Sequence, residues 1–363
     1  LMARYWVGLD VHSAFCAYAI QDSSGELIKE GTFETTPHGF AGFAEAAGLP
    51  AKTPVGLETG TVAFFAARQL ALLGFDPVVI DAHEVRAKAQ RPSQKSDRRD
   101  AFEICDGLRR NIYRTIVYVP PLSVSTLRET LSRRRHFVRL KTAEVNAAKR
   151  LLRSTGRAAE ARSLGTRVAW DLLLTRLGDD PSLLACVELH RQTWRHADDQ
   201  VQLLDKRLED QAHGISRPLE LLRTIPGVGR IVALTVIAVY GDVSRFPGAK
   251  QAASYAGLVP TSHQSGDRDT HGHITKRGSS ELRAMLCEAA QHARRKEHPL
   301  HPFFATVCAK RGYKVAVVSV AHRLARIIFA MLRDAKPFDE RSAGVEYGPF
   351  TRNRTVDYRR ATA

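Results

Sequence analysis

Tyr5-Trp6-Val7-Gly8-Leu9-Asp10-Val11 reads as a β-strand, with Val7, Leu9 and Val11 on one face and Asp10 turned to the other. Working outward, a second strand is expected at residues 14–21, a turn at Asp22-Ser23-Ser24-Gly25 and a third strand at residues 27–35, together an antiparallel meander. Phe40, Phe43, Ala44 and Ala47 recur at helical spacing over residues 37–48. Pro54-Val55-Gly56-Leu57-Glu58 is a short apolar strand that ends on a carboxylate before Thr59-Gly60. An apolar helix over residues 61–73, stopped by Gly74, leads to a fifth strand at residues 77–80. A last helix, headed by Lys95-Ser96-Asp97-Arg98-Arg99-Asp100-Ala101, is expected to run to about residue 110.

Asp97 and Asp100 are three residues apart and share one helical face, so two carboxylates project side by side. Each alone reads as a first-turn acid favoured by the helix dipole, with Ser96 as the cap. Walled in by Lys95, Arg98 and Arg99, the pair equally suits hard oxygen ligands for Mg²⁺, set among cations that hold a phosphate backbone. The order of three antiparallel strands followed by helix, strand, helix, strand and helix resembles the ribonuclease H fold, in the RuvC-like version used by Holliday-junction resolvases. The catalytic acids of that fold sit on the first strand, at the end of the fourth and on the last helix. Asp10, Glu58, Asp97 and Asp100 occupy those places. Asp81 is a rival ligand, but its simpler role is to cap the segment from Ala82 onward. Four converging acids repel one another, so the resemblance implies a bound divalent cation, which in phosphodiester chemistry stabilises both attacking and leaving oxygens.

With 363 residues, 44% of them hydrophobic and 25% charged, the chain has room for two or three domains and the composition of an ordinary globular protein. Lys and Arg total 54 against 38 Asp and Glu, and the net charge of +16 points to a polyanionic partner, nucleic acid first. There is no uninterrupted apolar run of spanning length and no signal-peptide pattern at Leu1-Met2-Ala3-Arg4, so a cytoplasmic protein without a membrane partner is expected. The five cysteines are odd in number and widely spaced, which suggests core thiols rather than disulfides or a zinc site.

Pro120-Pro121 marks a boundary, after which Leu131, Val138, Val145 and Leu152 recur every seven residues up to a stop at Gly156. Residues 128–167 hold 12 Lys and Arg against Glu129, Glu144 and Glu160, with a peak at Arg133-Arg134-Arg135. A solvated helix face normally carries more acidic partners than that, so phosphate binding is the preferred reading. A second long helix over residues 182–213 repeats the spacing at Val187, Trp194, Val201 and Leu208, as an antiparallel partner to the first or as a dimer contact. Farther on, Pro226-Gly227-Val228-Gly229 between two helical runs looks like a helix-hairpin-helix turn, whose glycines let backbone amides approach phosphates; an ordinary helical corner would read the same way. Residues 255–278 read as a polar loop in which Ser265, a turn residue by composition, lies near His263, Arg268, Lys276 and Arg277. The last helices, near residues 300–310 and 315–332, put Val315, Val318, Ala325, Ile328 and Leu332 on one core-facing side, and the tail beyond Pro337 is rich in charge.

Two groups of motifs combine into a more specific likeness. Gly8-Leu9-Asp10, Leu57-Glu58-Thr59-Gly60 and the stretch from Lys95 to Ala101 come first. They are followed by Ile225-Pro226-Gly227-Val228-Gly229, Ala256-Gly257-Leu258-Val259-Pro260, Gln264-Ser265-Gly266 and Ile274-Thr275-Lys276-Arg277-Gly278. Over roughly residues 5–335 the chain resembles the DEDD-type insertion-sequence transposases, the bridge-RNA-guided recombinases. The resemblance implies an α/β plus all-α protein. Its parts are a RuvC-like catalytic domain (1–120), a basic helical coiled-coil domain (121–215), a C-terminal transposase domain with the helix-hairpin-helix and a serine loop (216–335), and a tail (336–363). It implies that Asp10, Glu58, Asp97 and Asp100 hold Mg²⁺, with Mn²⁺ as a substitute, and that Ser265 attacks a DNA phosphate to form a covalent phosphoserine and free a 3′-hydroxyl. The expected nucleic-acid contacts are Lys95, Arg98, Arg99, Arg133, Arg134, Arg135, Gly227, Gly229, Arg268, Lys276 and Arg277. The implied partners are a structured bridge RNA and target and donor duplex DNA. The implied assembly is a homodimer that forms a homotetramer, each active site drawing its acids and its serine from different protomers, in a bacterial or archaeal cell. The alternative is a junction-resolving endonuclease that uses the acid cluster with water and no covalent step.

Overall fold

The computed structural model describes residues 4–88, 96–162, 164–265 and 268–340, apart from the side chains of residues 262–271. Lys95 and the tail arginines from Arg352 onward fall outside the described residues. The chain divides into two compact units, Leu1–Pro121 and Leu122–Ala363.

The first unit is a mixed sheet in a ribonuclease H-like arrangement. Its strands are β1 (Trp6–Val11), β2 (Phe15–Gln21), β3 (Leu27–Glu34), β4 (Pro54–Glu58) and β5 (Asp76–Ile80), ordered β3-β2-β1-β4-β5. The first three pair antiparallel as the meander requires, while β4 joins β1, and β5 joins β4, in parallel. Helices α1 (Pro37–Ala47), α2 (Ala63–Leu72), α3 (Ala82–Lys88) and α4 (Asp97–Arg109) fill the connections. The period of two sorts β1 between two environments. Val7 and Leu9 are fully buried with Val55, Leu57, Phe40 and Leu70, whereas Gly8 lies directly under α4. A Cβ on Gly8 would meet the Ala101 carbonyl oxygen at 2.1 Å and the Cys105 amide at 2.4 Å, so only glycine lets α4 pack this close. The Cys105 thiol then donates to the Trp6 carbonyl at 3.2 Å. Asp10 shares Gly8's face by strand periodicity and so stands where α4 begins.

The second unit is helical. The α5 (Leu122–Ser154) and α7 (Pro181–Ala212) helices pack antiparallel, since contacts climb one as they descend the other: Arg134 with Asp205, Lys141 with Asp198, Glu144 with His190. This chooses the partner-helix reading over the dimer reading for the seven-residue spacing. At the far end α6 (Arg167–Arg176) packs its fully buried Trp170 against Trp194, ring centroids 6.0 Å apart and planes tilted by 44°, an anchor whose truncation to alanine costs about 4 kcal/mol. Within the seam Phe137 is buried and Val138 is exposed, because the charged pairs at Arg134 and Lys141 occupy part of the interface and shift the apolar register by one.

The remaining helices are α8 (Ser216–Arg223), α9 (Arg230–Tyr240), α10 (Ala249–Tyr255), α11 (Ser280–Ala290), α12 (His301–Arg311) and α13 (Tyr313–Asp334), around one large core. By length and composition α13 is apolar enough to cross a membrane, but Ala316, Val320, Ala321, Leu324, Ala325 and Ile328 are fully buried in that core, with Val315 turned outward. Cys16 and Cys105 are core thiols as expected, pushed up by burial to about 11 and about 12, whereas Cys186 is exposed.

The polar loop expected at residues 255–278 is instead a β-hairpin of β6 (Pro260–Ser265) and β7 (Arg268–Ile274). Gly266-Asp267, between the two strands, falls outside the described residues. The base of the hairpin is clamped by two glycines with positive φ. A Cβ on Gly257 would strike the Arg277 carbonyl oxygen at 2.4 Å, and one on Gly278 would strike the Tyr255 carbonyl oxygen at 2.0 Å.

Candidate functional site

The end of β1 and the first turn of α4 bring three ligand atoms together. His12 Nε2 lies 3.1 Å from Asp10 Oδ2 and 3.3 Å from Asp97 Oδ1, and the three atoms lie within 4.8 Å of one another. Burial raises the Asp10 carboxyl above its ordinary value; His12 opposes the rise, and the negative charges of Asp100 and Asp97 add to it. Asp100 therefore shares the electrostatic field of the cluster, although its carboxylate is outside the closest set. Glu58 ends β4, which runs parallel to β1 with Leu57 opposite Leu9, so it stands at the same edge as Asp10. Its carboxylate is 3.7 Å from the Arg86 guanidinium and also lies outside the closest set.

His12 was missed in reading the sequence, though its spacing was available: two residues after Asp10, it falls on the same side of an extended chain. Ser96 stands at the head of α4 in extended conformation without a side-chain cap; its carbonyl accepts from Arg99 and Asp100 instead. Asp81 does cap α3, accepting from the His83 and Glu84 amides at 3.0 and 3.3 Å. The donor set, two aspartate oxygens and an imidazole nitrogen with two further acids at the same sheet edge, fits a divalent cation.

The basic residues divide into paired and exposed groups. Arg98 pairs with Glu30, and Arg99 with Glu103 at 3.2 Å. Contrary to the expectation that residues 128–167 lack acidic partners, several of their cations pair with acids from α7 and the turn before it. Arg134 is held by both Asp205 oxygens at 2.6 and 3.2 Å, Lys141 by Asp198, Arg167 by Asp198 and Asp199, and Arg157 by Asp179. Arg133, Arg139, Arg150 and Arg153 remain exposed on α5, with Arg133 lying over the Phe137 ring at 4.6 Å; Arg135 is half-buried and faces the charge of Glu281.

In the C-terminal helices, α8 and α9 meet at a tight turn in which Gly227 has φ +83° and a Cβ there would press on His292 at 2.9 Å. Gly229 leads into α9, and the Pro226 carbonyl accepts from the buried His298 Nε2 at 3.1 Å. Lys276 and Arg277 are exposed at the foot of the hairpin, Lys276 with a positive φ of 54°. Ser265 ends β6 directly opposite Arg268, the first residue of β7; the side chains of both fall outside the described residues.

An acid cluster at the end of the first strand of a ribonuclease H-like sheet defines the class of metal-dependent enzymes that act on phosphodiesters, here joined to a helical unit. The comparisons narrow the class. Residues 7–156 match the family model for DEDD transposases of the IS110 type, and residues 219–305 match the model described as the Transposase IS116/IS110/IS902 family. A probable family 20 transposase of Pseudomonas aeruginosa is 30% identical over 294 residues, which cover 77% of this chain and 83% of the relative. The transposase for insertion sequence element IS1111A of Coxiella burnetii is 27% identical over 66% of this chain and 67% of its own length. A pilin gene-inverting protein of Moraxella lacunata is 32% identical over 153 residues, 40% of this chain and 48% of the relative. The chain belongs to the DEDD-type IS110 family of transposases.

Proposed function

We propose that this protein is an RNA-guided DNA transposase that cuts and rejoins strands through a phosphoserine at Ser265. The observation that carries the reading is the pairing, in one chain, of the Asp10–His12–Asp97 cluster under the first family match with a serine at the end of a hairpin strand under the second. Asp10, Asp97, Asp100 and Glu58 would hold a divalent ion such as Mg²⁺. When bound, that ion supplies positive charge to the phosphate oxygens and to the serine oxygen as it loses its proton.

The remaining chemistry belongs to the chain. Ser265 Oγ forms a bond to phosphorus as the bond from phosphorus to the 3′-oxygen breaks; the serine proton leaves, and the departing 3′-oxygen takes one up. The phosphodiester's energy is kept in the protein–DNA link, so a second strand's 3′-hydroxyl can displace the serine without an external energy source. The exposed arginines of α5 hold the backbone of a structured guide RNA, while the α8–α9 turn and the foot of the hairpin, with Lys276 and Arg277, hold DNA phosphates. Four copies assemble around the two DNA partners, with the basic helical pair and the C-terminal helices serving as separate working parts of the second unit.

The test is a reaction containing the purified chain, RNA transcribed from the DNA flanking its gene, and duplexes matching that RNA. Joined recombinant strands are expected. Nicked products alone, independent of RNA, would instead favour the junction-resolving endonuclease.

A further inference from the structure

We infer that His12 is itself a ligand in the acid cluster, and that its nitrogen biases the site toward a first-row transition ion such as Mn²⁺ over Mg²⁺. The inference rests on the reading of the cluster as a metal site and adds to it a donor that the four acids do not include. Two ligands at right angles on an ion with bonds of about 2.1 Å lie about 3.0 Å apart. His12 Nε2 stands 3.1 Å from Asp10 Oδ2 and 3.3 Å from Asp97 Oδ1, close to the edges of such a coordination shell.

The backbone that carries the imidazole is also held in place. The His12 amide donates to the Phe15 carbonyl at 2.9 Å, its carbonyl accepts from the Thr35 hydroxyl at 2.8 Å, and its ring lies 5.0 Å from that of Phe15. A single Nε2–H can donate well to only one of the two carboxylates that face it. With the proton on Nδ1 instead, the Nε2 lone pair and both carboxylates converge on one ion. Mg²⁺ takes oxygen ligands and discriminates against imidazole, whereas later divalent ions accept mixed nitrogen and oxygen shells, so the nitrogen donor changes which metal the cluster prefers.

The experiment uses the full chain stripped of metal, with Mn²⁺ and Mg²⁺ each titrated alone by calorimetry and the Mn²⁺-loaded protein examined by pulsed electron paramagnetic resonance. Mn²⁺ is expected to bind about tenfold or more tightly than Mg²⁺ and to show coupling to a directly bound nitrogen. Histidine labelled with ¹⁵N should change that coupling in the unmutated chain, a readout that needs no variant to fold. His12→Gln should abolish the coupling and weaken Mn²⁺ binding about tenfold, while Mg²⁺ binding stays within about threefold. Tight Mn²⁺ binding without nitrogen coupling would overturn the role of His12 and leave the acid site standing. If neither ion binds and Asp10→Asn changes nothing, both readings fall.

Discussion

Asp10 carries opposing demands: the strand buries it, and the surrounding acids resist its charge. Its raised carboxyl favours the folded state most fully below the ordinary value of 3.8, and that contribution is lost as pH rises through the folded value. A cation bound to the ionised carboxylate reverses the loss. Stabilisation by Mg²⁺ or Mn²⁺ in thermal melts should therefore grow as pH rises above the ordinary carboxyl value of 3.8 and through the raised folded value. Asp97→Asn should lose most of the gain at the higher pH, and an equal gain in both proteins would remove Asp97 from the site. At this scale the sequence was informative where periodicity applies: Asp10 is on the face that α4 covers because strands alternate. It placed Glu58 at the end of a strand but not the meeting of its carboxylate with Arg86, a pairing that depends on how α3 packs.

Among the elements, α4 sets the site because it rests on β1 at Gly8, where no side chain intervenes. Gly8→Ala would drive a methyl group into the Ala101 carbonyl, and backbone on both sides leaves little room to adjust. A loss of about 3 kcal/mol in denaturant unfolding is expected, together with loss of cation-dependent stabilisation. Unchanged stability would mean that α4 does not pack as described. On α5, the exposed and paired arginines should behave differently. Replacing Arg133, Arg139, Arg150 and Arg153 by Ala should weaken RNA binding across sequences and flatten its salt dependence, with only the small loss of stability that the Arg133–Phe137 contact carries. Arg134→Ala should instead destabilise the helix pair by about 2 kcal/mol, since it strands the partly buried Asp205. If the four exposed arginines can be removed with binding and salt slope intact, α5 presents a solvated face. The long helices and the meander were legible because their apolar periods recur over enough residues to survive local breaks such as Val138. The β6–β7 hairpin was not, because its strands are polar and lack the apolar alternation that marks a strand. The pairing of the charge run was hidden for a related reason: the acids that answer part of it come mostly from α7, far along the chain.

For the whole molecule, the central claim is that metal chemistry in the first unit and a serine in the second serve one reaction that conserves bond energy. A homotetramer on paired DNA substrates should be visible as a complex containing four copies of the chain, and a complex of two would contradict the proposed assembly. The most direct test is a denaturing gel of the chain incubated with guide RNA, matching labelled DNA and Mg²⁺. A labelled strand covalently attached to protein is predicted, absent in Ser265→Ala and in Asp10→Ala while RNA binding persists in both. Cleavage by Ser265→Ala at the unmutated rate, with no protein–DNA link in either case, would contradict the account and leave a hydrolytic nuclease in its place.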